Sequence, residues 1–142
     1  MAHWLFKSEP DTWGWHDQVA KKGPEEWHGV RNYQARNNMR LMQVGELGFF
    51  YHSVKEKAVV GIVRVATPIH PDSTAEPKNG KIVWECVDIE AVRSFERPVT
   101  LDEIKVEPGL EQMVLVNNSR LSVQPVSEAE WAIICRMGGV EP

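Results

Sequence analysis

The sequence predicts an α+β domain built on a mostly antiparallel, curved sheet or small β-barrel with short flanking helices. Strand-type runs outnumber helical ones, and they do not alternate with helices as βαβ units. The breaks between them are clusters of Gly, Pro, Asn and Asp, which suit a small curved sheet or barrel. With 142 residues, the chain is expected to be one domain, residues 1–142, large enough for a hydrophobic core without staples.

The strand candidates are His3–Lys7, Leu47–His52, Ala58–Thr67, Ile82–Ala91 and Met113–Val116, all rich in Val, Ile or aromatics. Gly61 inside Val59-Val-Gly-Ile-Val63 predicts a bulge or a close backbone approach. Pro68 and Pro71 end that strand, and Pro77 with Asn79-Gly80 marks a turn in the loop Pro71–Lys81. Helices are expected at Trp15–Lys22, stopped by Gly23, and at Tyr33–Met42, capped by Asn32. In the second, Ala35, Met39 and Met42 share one face and Arg36 and Arg40 another. Thr100-Leu-Asp-Glu103 and Ser127-Glu-Ala-Glu130 have the capping-box pattern, and the second helix should end near Gly138-Gly139.

Composition excludes several classes. Charged residues make up 25% and apolar residues 42%, as in ordinary globular proteins. There is no signal-peptide pattern and no membrane-length apolar run. The well-separated Cys86 and Cys135 read as buried free thiols, which points to a reducing, cytoplasmic setting. The net charge of −4 argues against a protein that coats DNA without sequence preference. The charge is uneven, however. Residues 29–57 hold Arg31, Arg36, Arg40, Lys55 and Lys57 against Glu46 and Glu56, whereas residues 85–111 hold eight acids against three bases. One face can therefore be locally positive. No phosphate-binding glycine loop, His-Glu-x-x-His, Cys-x-x-Cys or zinc-deaminase pattern occurs, so no metal site and no cofactor are expected.

The segment Trp27-His-Gly-Val-Arg-Asn-Tyr-Gln-Ala-Arg-Asn-Asn38 stands apart. Aromatic rings beside amide and guanidinium groups suit a planar, hydrogen-bonding ligand such as a nucleobase. A polar helix-capping loop with a buried Trp fits the same composition equally well. Of six tryptophans, Trp4, Trp84 and Trp131 lie in strand or helix patterns and read as structural. Trp13, Trp15 and Trp27 lie in polar, turn-rich surroundings, so Trp27 is expected to line a cleft and not to anchor the core. Lys7-Ser-Glu-Pro10 closes the first strand, and Pro10 keeps Glu9 extended. Lys7 and Glu9 can form a surface ion pair there, or Ser8 and Glu9 can meet a ligand. Along Phe49-Phe-Tyr-His-Ser53, Phe50 and His52 face one way and Phe49, Tyr51 and Ser53 the other. Arg120 can pair with an acid or reach a phosphate.

Taken together, Trp4-Leu-Phe-Lys-Ser-Glu-Pro10, the Gly29-Val-Arg-Asn-Tyr-Gln-Ala-Arg-Asn37 run after Trp27, Phe50-Tyr-His-Ser53, Val60-Gly61, Pro71-Asp72 and Arg120-Leu-Ser-Val123 resemble the EVE domain family. They occur in family order over most of the chain. The resemblance implies a PUA-like fold, related to the YTH domains that cage a methylated base. It also implies a pocket that reads a modified base, chiefly modified cytosine in DNA. The resulting expectation is a non-enzymatic, monomeric reader whose partner is nucleic acid carrying a modified base, flipped or single-stranded. Its base pocket would be formed by Ser8, Glu9, Trp27, Asn32, Tyr33, His52 and Ser53. Arg31, Arg36 and Arg120 would meet phosphates. The alternative, by analogy with ASCH relatives, is a small amidohydrolase-like enzyme using Lys7, Glu9 and His52 on a modified nucleoside. A protein-interaction module fits the acidic stretch but leaves Trp27–Asn38 unexplained.

Overall fold

A computed structural model describes all 142 residues. In chain order the elements are β1 (His3–Ser8), α1 (Pro10–Trp13), α2 (Trp15–Ala20), β2 (Glu25–Glu26), α3 (Tyr33–Leu41) and β3 (Leu47–His52). There follow β4 (Ala58–Val65), β5 (His70–Pro71), β6 (Glu85–Cys86), β7 (Asp88–Thr100), α4 (Leu101–Val106), α5 (Val114–Asn117), β8 (Val123–Val126) and α6 (Glu128–Met137). Six strands form one curled, half-barrel sheet in the order β2-β7-β4-β3-β1-β8, and β5 pairs with β6 beside it. Every pairing in the large sheet is antiparallel except β1 with β3. That parallel pair needs a long crossover, supplied by α1, α2, β2 and α3. Of this crossover, α1, β2 and the loop from Trp27 to Arg31 meet the end of β1 around a cavity.

The sheet is buried on both faces. Trp4, Phe6 and Phe50 point into a cluster with Trp27, Ala35, Met39 and Val87. Their neighbours Leu5, Phe49 and Tyr51 point into a second cluster with Phe95, Leu110, Leu115 and Trp131. The period-two alternation thus appears as two apolar sets on opposite faces. Trp131 stacks on Phe49 with centroids 4.0 Å apart. Trp4 meets the buried Glu46, which also accepts from the Ala2 and Gln43 backbone amides. Burial alone would raise the Glu46 pKa, but these hydrogen bonds outweigh it and lower it.

The local signals behave as their chemistry requires. The Asn32 side chain accepts from the Ala35 amide and starts α3. Both capping boxes close, Thr100 with Glu103 and Ser127 with Glu130. The β3–β4 and β4–β7 registers shift beside Gly61, and the Trp15 ring lies on its Cα. Three sequence expectations fail. Met113–Val116 is not a strand; Val114–Asn117 forms a helical turn with Met113 and Leu115 buried, so packing overrides β-branched composition. Ile82–Trp84 is not extended ladder, and Trp84 is only half-buried. Instead, β7 runs on to Thr100 through a charged stretch that buries only Phe95 and Val99 beyond Ala91.

A Cβ on Gly61 would sit 2.3 Å from Trp15 Cζ2, and the ring is tied in place by its N–H to Ser94 and its contact with Phe50. Gly61→Ala should therefore destabilise the fold by about 1–3 kcal/mol through overpacking, read as a lower chemical-denaturation midpoint. An unchanged midpoint would show that Trp15 is not seated on the strand.

Candidate functional site

A cavity of about 370 Å³ opens at the end of β1. It lies at the lower end of the roughly 300–1,000 Å³ typical of small-ligand sites. Lys7, Ser8 and Glu9 contribute from β1 and its exit, Thr12 and Trp13 from α1, Glu25 and Glu26 from β2, and Trp27 to Arg31 from the following loop. Ser122 closes it from the β8 side.

Each wall is fixed by a specific contact. The Ser8 hydroxyl donates to the Trp13 carbonyl at 2.6 Å and folds α1 back over the strand end. Trp13 Nε1 donates to Gln18, whose own amide donates to the Ile89 carbonyl, so the Trp13 ring is tied through α2 to the sheet. Trp27 is anchored by its backbone amide to the Val87 carbonyl and by edge-on contacts with Phe6 and Phe50, at 5.5 and 5.7 Å. The loop after it has no ladder partner. It is held by Asp72, only 2% exposed, which accepts from the Gly29 amide at 2.8 Å, from Arg31 at 3.0 Å, and from both the amide and hydroxyl of Thr74. Burial pushes the Asp72 carboxyl up, but the hydrogen bonds from Thr74, Gly29 and Arg31 win and bring its pKa to about 2. Gly29, at φ +87°, is the residue that lets the chain turn its amide toward that carboxylate.

The charges at the cavity are mostly committed. Glu25 pairs with Lys21, and Glu26 accepts from Ser73 Oγ at 2.5 Å. Lys7 donates to the Ser119 carbonyl, and burial lowers its pKa. Glu9 differs: it is exposed and its carboxylate has no hydrogen-bond or ion-pair partner.

Of the residues expected at a base pocket, the structure brings Ser8, Glu9 and Trp27 to this cavity, together with Arg31. The other four lie elsewhere. Asn32 spends its side chain on the cap of α3. Tyr33 is 55% exposed and stacks on Trp84 at 4.8 Å, with the Arg36 guanidinium 4.9 Å from its ring. His52 is buried beneath α2, where Nε2 accepts from the Trp15 amide at 3.0 Å and Nδ1 faces Glu56. Ser53 lines a different hollow with Tyr51 and Leu115. Arg36 is held by the Val83 carbonyl and Asn37, while Arg120 is exposed and unpaired two residues from Ser122. Trp27 also departs from expectation. At 8% exposure it is a core residue that shows one edge to the cavity. Two residues were missed. Trp13 was recognised as unusual without being assigned to the wall, and Asp72 was read only as part of a motif.

The chain is thus a curled PUA-like sheet with an aromatic and carboxylate-lined cavity at one strand end. Within that class the chain belongs to the EVE domain family, whose model matches residues 2–137. A crystal structure of a protein from Agrobacterium tumefaciens superposes with a TM-score of 0.94 at 55% identity, covering 99% of this chain and 94% of that one. Human thymocyte nuclear protein 1 is 34% identical over 99% of this chain and 76% of its own length. The structure of human THYN1 protein in complex with 5-methylcytosine-containing DNA has a TM-score of 0.86 at 32% identity, covering 100% of both chains. No helix here is long and apolar enough to cross a membrane.

Asp72→Asn keeps the size but turns an NH₂ toward donors. It should cost about 2 kcal/mol at neutral pH, from a carboxyl pKa of about 2 against 3.8 for the free group. Because the folded pKa is the lower one, this stabilisation is complete above pH 3.8 and lost as pH falls through about 2. Denaturation of wild type and variant should therefore converge in acid. A constant gap down to pH 2 would contradict the assignment.

Proposed function

We propose that this chain is a non-enzymatic reader of a modified cytosine in DNA, taking the extruded base into the cavity at the end of β1. The observation that carries the proposal is the unpaired Glu9 carboxylate at a cavity walled by Trp13 and Trp27. Cytosine presents a donor, its exocyclic amine, and a carboxylate is the matching acceptor. The complex of the THYN1 relative with 5-methylcytosine-containing DNA supports the same ligand class. Trp13, more exposed than Trp27, supplies most of the stacking surface, a contribution of roughly 1–3 kcal/mol per base. A base must leave the duplex to enter, and a mismatched or unpaired one leaves more easily. A methyl group buried against these rings adds about 0.8 kcal/mol, or roughly fourfold in affinity.

The hydrolase reading loses its geometry. His52 Nε2 is occupied by the Trp15 amide and His52 does not line the cavity, so Lys7, Glu9 and His52 do not converge on one reacting atom. Phosphate contacts fall to Arg31 at the rim, Arg120 near Ser122, and Arg36 on the Tyr33–Trp84 flank. Against a net charge of −4, these few cations set a modest salt dependence.

Glu9→Gln should leave melting unchanged, since the exposed Glu9 carboxylate has no hydrogen-bond or ion-pair partner, and should weaken binding of a 5-methylcytosine oligonucleotide about tenfold. Tryptophan fluorescence reads this directly, and equal affinities for wild type and variant would remove Glu9 from the site. Trp27→Ala should lose binding and also melt early, by about 3–5 kcal/mol, because its ring is core. The log–log salt slope should be about −1.4 to −2.7, corresponding to two or three phosphates. A slope near zero or far steeper would contradict a single-base pocket.

A further inference from the structure

Behind the cavity wall, two cross-strand pairs lie side by side. Glu26 is paired with Asp88 across β2 and β7, and His70 with Cys86 across β5 and β6. Cross-strand partners project their side chains to the same face, and so do Cys86 and Asp88, two residues apart in an extended segment. One ligand atom each of Glu26, His70 and Cys86 falls within 4.8 Å of the others. We propose that Glu26, His70 and Cys86 bind a zinc-type divalent cation, with Asp88 orienting the histidine from behind.

The donor chemistry selects the ion. A thiolate, an imidazole and a carboxylate form a typical zinc set, whereas calcium and magnesium take oxygen donors only. Tetrahedral zinc with bonds of about 2.0–2.3 Å places its donors roughly 3.3–3.8 Å apart. His70 Nδ1 and Glu26 Oε2 are already 3.8 Å apart. A fourth position is left for water.

A second, independent feature points the same way. Asp88 accepts from His70 Nε2 at 2.8 Å, the carboxylate–histidine arrangement that fixes the ring of a metal ligand and leaves its other nitrogen facing inward. That other nitrogen, Nδ1, donates to the Pro71 carbonyl at 2.9 Å, and this is the proton a metal ion displaces. The second proton released comes from the Cys86 thiol, and both pass to solvent. Local charge favours the exchange: His70 is the only cation paired with either Glu26 or Asp88. Arg31, the nearest alternative, is committed to Asp72. The sequence gives no metal-spacing motif because the donors come from three separate segments that only the sheet brings together.

The test is titration of the whole chain with Co(II), followed by displacement with Zn(II). One equivalent should bind with a sulfur-to-cobalt charge-transfer band that zinc abolishes. The band should vanish in Cys86→Ser and His70→Asn and persist in Cys135→Ser, whose thiol lies in the other core cluster. Zinc should also raise the melting temperature of the wild type and not of His70→Asn. If Cys86→Ser does not fold, His70→Asn decides: loss of the band supports the site. No charge-transfer band in the wild type, or one that survives in His70→Asn or in folded Cys86→Ser, overturns it.

Discussion

The Asp72 carboxylate is the interaction on which the site depends. The cavity wall from Trp27 to Arg31 is irregular chain, so its amides cannot be satisfied by a ladder. A buried carboxylate has about four lone-pair directions, and Asp72 fills them with two amides, a hydroxyl and a guanidinium. A buried charge this well solvated by its own protein is stable only with every donor in place. That condition ties two irregular segments, the Trp27–Arg31 wall and the loop after β5, into one edge. Arg31 is thereby held at the rim with its charge half-neutralised, which suits positioning a phosphate more than attracting one from a distance.

The aromatic residues divide by what holds their polar atoms. Trp4 is buried because Glu46 receives its indole N–H, and Trp15 rests on Gly61 with its N–H on Ser94. Trp13 is fastened by Gln18 yet stays half-open to the cavity. Trp27 shares both roles, with edges against Phe6 and Phe50 and one margin to the ligand space. The pocket is therefore a continuation of the core and not a loop feature laid over it. The walls are thereby set by core packing, and on the proposed reading that is what lets a single methyl group be felt.

Much of this was legible in the sequence, for identifiable reasons. The strands β1, β3 and β4 and the caps of α3, α4 and α6 are written in local chemistry: alternation, Asn32, and two Ser/Thr–Glu boxes. Gly61 signalled a close approach although its partner, Trp15, lies far away in sequence. That Ser8, Glu9 and Trp27 meet at one cavity was legible because motif residues cluster at strand ends. Asn32, Tyr33, His52 and Ser53 were grouped with it by motif membership, but their polar atoms serve a cap, a surface stack, the α2 N-terminus and a second hollow. Nothing local distinguishes those uses. β7 was hidden because an exposed strand carries charges on most positions, and Met113–Val116 was misread because four apolar residues have no period of their own.

On the proposed reading, the charge distribution sets how an acidic domain addresses DNA. Affinity from the phosphate backbone scales with the number of ions released, and here six of the sixteen Lys and Arg side chains are already in ion pairs, among them Lys21 with Glu25, Arg40 with Glu85 and Arg64 with Glu90. In that reading, the three arginines near the cavity supply only a few phosphate contacts, and the base pocket contributes most of the discrimination. Stacking on Trp13 and one carboxylate contact together amount to a few kcal/mol, comparable to the cost of extruding a base. With the balance so close to zero, a methyl group worth about 0.8 kcal/mol shifts occupancy several-fold, whereas on a strongly basic protein the same increment would be lost in backbone affinity. Low positive charge is in this sense a condition for selectivity.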